Sequence, residues 1–257
     1  MEVHHPHHPT HKKKWPEYIL EFLMLFLAVF LGFLAENTRE HIADRKKEKF
    51  LIRLLKQDLI KDTANLHKLI YENIPINNKF MDSASRQITS LPIRENEKSL
   101  IAIIENGTTY SDFTPSEIAL SEFRYGGVLD LVGKPDVKEA ILSYASQINF
   151  YDAFTSGMHQ AEWAVDTSVA LFFSVQDNER LQKIFFSITL PRTLTPEDIP
   201  DDIHFETYDP NDFKRLSIKI KQLSVIENEK LGIGKRVYDQ AIALLAVLNK
   251  EYPDISV

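Results

Sequence analysis

An apolar run near the amino terminus places the tightest limit on how this 257-residue chain can fold. Residues 18–35 read YILEFLMLFLAVFLGFLA, and Glu21 is the single charged residue among them. As a helix, the run would be roughly 27 Å long, close to the hydrocarbon thickness of a bilayer. Its twelve Leu, Ile, Phe or Val residues favour membrane insertion by about 4 to 7 kcal/mol. We therefore predict one transmembrane helix at 18–35.

The residues at the start of the run fit a membrane anchor. Trp15 and Tyr18 would lie among lipid headgroups, where amphipathic aromatic rings are enriched. Glu21 falls in the first turn, where a charge costs far less than at the bilayer midplane. The side chains that we expect to form the anchor are Trp15, Tyr18, Glu21, Phe22, Leu25, Val29 and Phe33.

Three other interpretations of the run fit less well. A buried core helix usually carries a polar stripe, which residues 22–35 lack. A cleaved signal peptide would place bulky Phe33 at the third position before a cut after Ala35, where a small residue is typical. An interfacial helix needs a charged face. We favour an anchor that is not cleaved, which makes the lipid bilayer the first expected partner.

The flanking charges leave the orientation of the chain open. Three lysines precede the run, and five Lys or Arg residues follow it within 15 positions, interleaved with acidic residues. The plain count favours a cytoplasmic carboxyl-terminal domain, whereas a short tail with three lysines also suits an anchor that sends the domain outward. We expect a single-pass protein of the bacterial inner membrane with its domain in the periplasm.

Composition excludes several classes of protein. The chain has no cysteine, so it can form no disulfide, thiolate nucleophile or cysteine-ligated metal site. Its net charge is −7, whereas a general nucleic-acid binder is normally basic. We expect no nucleic-acid partner. The sequence indicates no cofactor and no catalytic residue.

Helix signals dominate residues 36–257 and predict an all-α antiparallel bundle. A long juxtamembrane helix is expected at 36–73, which contains no Pro or Gly, and Pro75 is expected to end it. Its apolar positions recur every three, four or seven residues and include Leu51, Leu55, Leu59 and Leu66. This stripe must pack on its own domain or on a twin chain. The second alternative is a homodimer through this helix, and crosslinking at Leu55 or Leu59 would test it.

Start and stop signals divide the rest of the domain. Thr114-Pro115-Ser116-Glu117 predicts a helix start, Gly126-Gly127 predicts its end, and Pro135 predicts the next start. Further starts are predicted at 195–198 and 209–212, with a last long helix over 213–249. Lys183 to Leu190 is β-prone, but it has no second strand to pair with.

Residues 121–152, SEFRYGGVLDLVGKPDVKEAILSYASQINFYD, resemble a motif in an uncharacterised Bacteroidetes family of single-pass membrane-anchored helical proteins with a domain of unknown function. Residues 15–50 are similar to the anchor of that family, and Gly126 stands where the family usually has Ser. The resemblance implies an anchored helical domain and implies no activity. The motif positions are Ser121, Phe123, Gly126, Gly127, Leu129, Leu131, Tyr144 and Tyr151.

Two groups of residues carry candidate metal chemistry. Residues 1–17 form a His- and Lys-rich tail that we expect to be disordered, and its five histidines could hold a metal weakly or contact anionic headgroups. His159 and Glu162 are three apart on one helix, and Asp166 lies one turn further on. Such spacing suits a bundle-core metal site, although a solvated face or helix pairing gives the same pattern.

These observations predict a non-enzymatic scaffold, adaptor or sensor-like protein that is anchored by a single helix. The alternative is a membrane-tethered metal-dependent hydrolase with a site among His159, Glu162 and Asp166. The protein partner is not indicated by the sequence.

Overall fold

The computed structural model describes residues 14–187 and 193–256. Within these ranges the chain is helical and forms no β-strand, which confirms the all-α prediction. A π-helical turn, Leu69–Asn73, joins the first two helices, and single 3₁₀ turns occur at Val128–Leu131 and Pro196–Asp198. The α-helices are α1 Trp15–Lys68, α2 Ile74–Gln87, α3 Glu97–Gly107, α4 Ile118–Tyr125, α5 Pro135–Ala170, α6 Val175–Ser187 and α7 Pro210–Glu251.

The chain divides into a first unit that ends at Phe50 and a second unit that begins at Leu51. In the first unit every described residue from Trp15 onward is helical. Among the described residues, one helix is long and apolar enough to cross a membrane, and none of its apolar window is buried by the protein. The interpretation as a buried core helix therefore does not fit.

In the second unit, α5 and α7 pack side by side and run in opposite directions. Ser143 donates to the side chain of Gln240 at 3.0 Å near one end of the pair. Towards the other end, the ammonium group of Lys219 donates to the hydroxyl of Ser168. One apolar cluster joins the start of α5 to the end of α7 and to the buried stripe of α1. A second apolar cluster joins the end of α5 to the start of α7, and it also includes residues of α2 and α3.

The apolar stripe of α1 packs inside its own domain. Leu51, Leu55, Leu59 and Leu66 are all buried in the first apolar cluster. This burial satisfies the first of the two alternatives that the sequence left open, packing on the same chain.

The predicted helix end at Pro75 is wrong. The chain stays helical through the π turn Leu69–Asn73 and continues as α2 to Gln87. Pro75 lies in the first turn of α2, where its missing N–H removes no bond of that helix. The wider π turn before it accommodates the proline without a break in the helical path.

The predicted helix start at Thr114 is also wrong, because α4 begins at Ile118. The donors near its amino terminus are satisfied by α1 instead of a local capping box. Asp62 accepts the backbone N–H of Ser116 through its two oxygens at 3.1 and 3.0 Å, and it accepts the Ser116 hydroxyl at 2.8 Å. Asp58 accepts the N–H of the second helical residue at 3.2 Å.

Other boundaries follow local signals. α4 ends at Gly126-Gly127, and Gly127 has a φ of +68°, a conformation that favours glycine. α5 begins at Pro135, and α7 begins at Pro210 after Asp209, whose side chain accepts an N–H of the first turn. The capping box at 195–198 starts only one 3₁₀ turn. Of the β-prone segment, residues 183–187 belong to α6, and 188–190 lie outside the described residues.

Residues of the family-like motif serve mainly as packing residues. Phe123, Tyr144 and Tyr151 are buried in the first apolar cluster, and Leu129 and Leu131 pack against it. Ser121, by contrast, is partly exposed on α4.

Candidate functional site

Charged side chains meet in the middle of the helical domain, between α5, α7 and the segment that joins α3 to α4. Lys230 of α7 is 0% exposed, as is Glu227 one turn before it, and Glu162 of α5 is 2% exposed. Asp112, from the joining segment, reaches the same point from the surface. We call Asp112, Glu162, Glu227 and Lys230 the Lys230 cluster.

The Lys230 ammonium group pairs with all three acids. Its Nζ lies 2.6 Å from Asp112 Oδ1, 3.1 Å from Glu227 Oε1 and 3.7 Å from Glu162 Oε1. A buried charge persists only where it is paired, because the protein interior solvates ions poorly. The cluster therefore brings three carboxyl groups against one ammonium group and carries an excess of acid.

Burial and the neighbouring charges shift the pKa values of this cluster in a consistent way. Burial disfavours the charged form of Lys230, but the carboxylates of Glu227 and Asp112 outweigh it and raise the pKa of the ammonium group. Burial also raises the pKa of Glu227 to about 7; Glu162 and Asp112 add to the rise, and Lys230 opposes it. Lys230 therefore stays charged at neutral pH, and burial favours the protonated form of Glu227.

Two oxygens of the cluster have no hydrogen-bond partner in the described part of the chain. These are Glu162 Oε1 and Glu227 Oε2, and both are buried. A buried carboxylate oxygen without a hydrogen-bond donor destabilises the folded state, and a bound proton or cation would remove this destabilisation.

The outer side of the cluster faces His159. Its Nδ1 lies 2.8 Å from Glu162 Oε2, while 59% of its side chain is exposed. One donor atom each from Asp112, His159 and Glu162 lies within 4.8 Å of the other two, so these residues could hold a metal ion. Among the described residues, this is the one group of His, Asp and Glu side chains whose donor atoms lie this close together.

Local structure explains how these three side chains meet. His159 and Glu162 share one face of α5 because residues three apart on a helix are neighbours. Asp112 is placed by the next residue, Phe113, whose N–H donates to the Tyr151 hydroxyl at 3.3 Å and whose ring packs edge-on against the ring of Tyr151.

Asp166 is not part of this group. It accepts the Tyr110 hydroxyl at 3.3 Å and lines a separate cavity of about 340 Å³ together with Glu105, Phe185 and Phe186. Burial, assisted by the charge of Asp166, raises the pKa of Glu105 to about 7. The structure thus brings together two of the three residues that the sequence suggested, and Asp112 takes the place of Asp166.

Sequence reasoning missed Asp112, Glu227 and Lys230. Asp112 carries no local signal, because only tertiary packing brings its segment to α5. A signal did exist for the other two: Glu227 and Lys230 continue the buried spacing of Leu223, at intervals of four and three, although both are charged. Ionisable residues at core positions of an amphipathic helix mark a buried polar site.

The remaining candidates lie elsewhere. The five histidines of the predicted 1–17 tail lie outside the described residues. The prediction that the disordered tail extends to residue 17 is wrong, because α1 already begins at Trp15. The anchor side chains predicted from the sequence are all exposed in the first part of α1.

Comparisons with family models, with curated proteins and with solved structures found no match. The resemblance to the Bacteroidetes family therefore stays a prediction from the motif residues.

Proposed function

We propose that the chain is a single-pass membrane-anchored helical protein that works as a scaffold, adaptor or sensor-like module. One observation carries the proposal: the apolar side chains of residues 18–35 are exposed around the whole helix. Val29 is 69% exposed, and its neighbour one turn on, Phe33, is 67% exposed. Exposed apolar surface of this extent is unfavourable in water and favourable in a bilayer.

The anchor is tested by extraction of cell membranes with alkaline carbonate. We expect the full-length protein to stay in the membrane pellet. A Leu25→Arg/Val29→Arg double variant places two charges near the midplane and should release it, because each charge opposes insertion by about 3 kcal/mol. Ile42→Arg changes an exposed apolar residue of α1 beyond the predicted span and serves as the matched control.

A cleaved signal sequence shares the length and composition of an anchor, so the amino terminus of the mature protein decides between the two. Sequencing should find the encoded terminus. A new terminus near residue 36, or release of the unaltered protein by carbonate, would overturn the proposal.

The proposal places the domain on the periplasmic side of a bacterial inner membrane. Protease added to intact spheroplasts should then digest residues 51–257 and leave cytoplasmic proteins intact. Digestion only after lysis would place the domain in the cytoplasm.

We also propose a homodimer through α1. Leu55 and Leu59 face the core of their own chain, so Ile42 and Phe50, which are exposed, are better crosslinking positions. The chain has no cysteine of its own, so Ile42→Cys or Phe50→Cys introduces a single thiol. A disulfide-linked dimer in native membranes is expected, with Ile242→Cys, at an exposed position of α7, as the control. A monomer with both α1 variants would contradict the dimer.

A second function, a membrane-tethered metal-dependent hydrolase, is favoured by the meeting of His159 and Glu162 with Asp112. A bound metal ion would supply an activated water molecule in such an enzyme. Metal-dependent turnover of model esters or phosphoesters that is lost in His159→Ala would support it, and equal turnover by both proteins would reject it.

A further inference from the structure

We propose that Asp112, His159 and Glu162 bind one divalent transition-metal ion of the Zn²⁺ or Mn²⁺ kind, with Lys230 and Glu227 as the groups that position the ligands. This proposal does not depend on membrane anchoring, so either can fail without the other.

The distances suit a single ion. The three donor atoms lie within 4.8 Å of one another. Ligands that bind one ion at about 2.1 Å can be at most about 4.2 Å apart, so a small inward movement completes the site. Asp112 and His159 are exposed, and rotation of these side chains supplies that movement.

A second, independent observation points to a cation at this place. Glu162 is 2% exposed, and its Oε1 has no hydrogen-bond donor in the described part of the protein. The nearest charge, the Lys230 ammonium group, is 3.7 Å away, which is too far for a hydrogen bond. The buried carboxylate is therefore incompletely satisfied by the chain: Oε2 faces His159 Nδ1 at 2.8 Å, and a metal ion that binds Oε1 would satisfy the other oxygen.

The Lys230 cluster carries an excess of acidic groups that a divalent ion would reduce. Three carboxyl groups, those of Asp112, Glu162 and Glu227, face the single ammonium group of Lys230. A divalent cation beside Asp112 and Glu162 would offset the negative charge that Lys230 leaves unpaired. Lys230 meanwhile holds Asp112 at 2.6 Å and Glu227 at 3.1 Å, as a partner behind the ligands commonly does.

The donor types select the class of metal. Imidazole nitrogen suits Zn²⁺ and related ions, whereas Mg²⁺ and Ca²⁺ prefer sites made only of oxygen. Two carboxylates with one imidazole therefore favour Zn²⁺ or Mn²⁺. The exposed side of His159 leaves coordination positions that water molecules can fill.

The test uses the full-length protein in detergent, stripped of metal, and titrated with Zn²⁺ and Mn²⁺ in a calorimeter. The tail histidines are first replaced by alanine to remove their own affinity for metals; these are His4, His5, His7, His8 and His11. We expect one ion per chain. Co²⁺ added in place of Zn²⁺ should give a visible absorption band that reports nitrogen and oxygen ligands.

Three variants decide whether the ion binds where we propose. His159→Gln changes an exposed side chain, so the fold should survive, whereas Asp112→Asn also removes a charge that pairs with buried Lys230. Each should weaken binding at least about ten-fold in the folded protein. Asp166→Asn is the matched control, an exposed acid one turn further along α5, and it should bind as the parent does. Circular dichroism checks that each variant is folded. No binding by the parent, unchanged binding by Asp112→Asn or His159→Gln, or an equal loss in Asp166→Asn would overturn the proposal.

Discussion

The hydroxyl of Tyr144 on α5 donates to the carboxylate of Asp62 on α1 at 3.3 Å, and both side chains are almost fully buried. The same carboxylate holds the backbone and hydroxyl of Ser116 ahead of α4. Asp62 thus joins three elements of the domain through one buried group.

We expect Asp62→Ala to lower the free energy of unfolding by about 2 to 4 kcal/mol, because it leaves buried donors without an acceptor. Asp62→Asn keeps one acceptor oxygen and should cost less. Urea unfolding of the full-length protein in detergent, followed by circular dichroism, measures both. Asp239→Ala, at an exposed position of α7, is the control and should change stability by less than about 0.5 kcal/mol. Equal effects of Asp62→Ala and Asp239→Ala would contradict the proposed role.

Glu105 should make stability depend on pH. Its pKa is raised to about 7 from an ordinary value of 4.5, mainly by burial. Between these values the folded chain binds more protons than the unfolded chain, so its stability falls as pH rises from about 4.5 to about 7. Above that range the buried charge destabilises the domain by up to about 3 kcal/mol.

The variant Glu105→Gln removes that charge. It should be more stable than the parent at pH 8 and nearly equal to it at pH 4.5, where Glu105 is protonated. Urea midpoints at the two pH values test this, and Glu139→Gln, at an exposed position of α5, should show no such difference. A gain of the same size at both pH values would mean that the effect does not come from ionisation.

Helix positions were predictable where the signal is local. The periodic leucines of α1 and the helix starts at Pro135 and Pro210 follow from residues that neighbour one another in sequence. The failure at Thr114 involves distant residues, whereas the failure at Pro75 involves a local π turn. The carboxylate of Asp62, not Thr114, satisfies the donors before α4, and a π turn lets the chain stay helical past Pro75.

The candidate site also contains one part that the sequence predicts from local spacing and one part that depends on tertiary packing. His159 and Glu162 meet because helix geometry fixes residues three apart on one face. Asp112 joins them only through the packing of Phe113 on Tyr151, which no spacing in the sequence encodes.

The burial of the α1 stripe can be tested with single cysteines. Leu59 is 0% exposed and Ile60, the next residue, is 50% exposed. Because the chain has no cysteine, each variant carries one thiol. Ile60→Cys should react quickly with a maleimide in the folded protein, and Leu59→Cys should react only after unfolding in urea. Rapid labelling of folded Leu59→Cys would mean that the stripe is not packed on its own domain.

Two glycines should respond to alanine in opposite directions. A Cβ atom added at Gly107, at the end of α3, would overlap the Cβ atom of Ala84 on α2. Neither atom can rotate away, so the two helices must separate, and Gly107→Ala should cost about 1 to 3 kcal/mol. A Cβ atom at Gly157, within α5, would have no neighbour within 4 Å. Gly157→Ala should therefore stabilise the domain by about 0.5 to 1 kcal/mol, because alanine loses less backbone entropy in a helix.

Urea unfolding of the two variants beside the parent measures both effects under one condition. Their opposite signs matter more than their sizes, because the same chemical change is made in two helical positions that differ in contact with a neighbouring helix. A Gly107→Ala protein as stable as the parent would show that α2 and α3 do not approach as closely as this contact requires. A destabilised Gly157→Ala protein would contradict the open space that surrounds this position of α5.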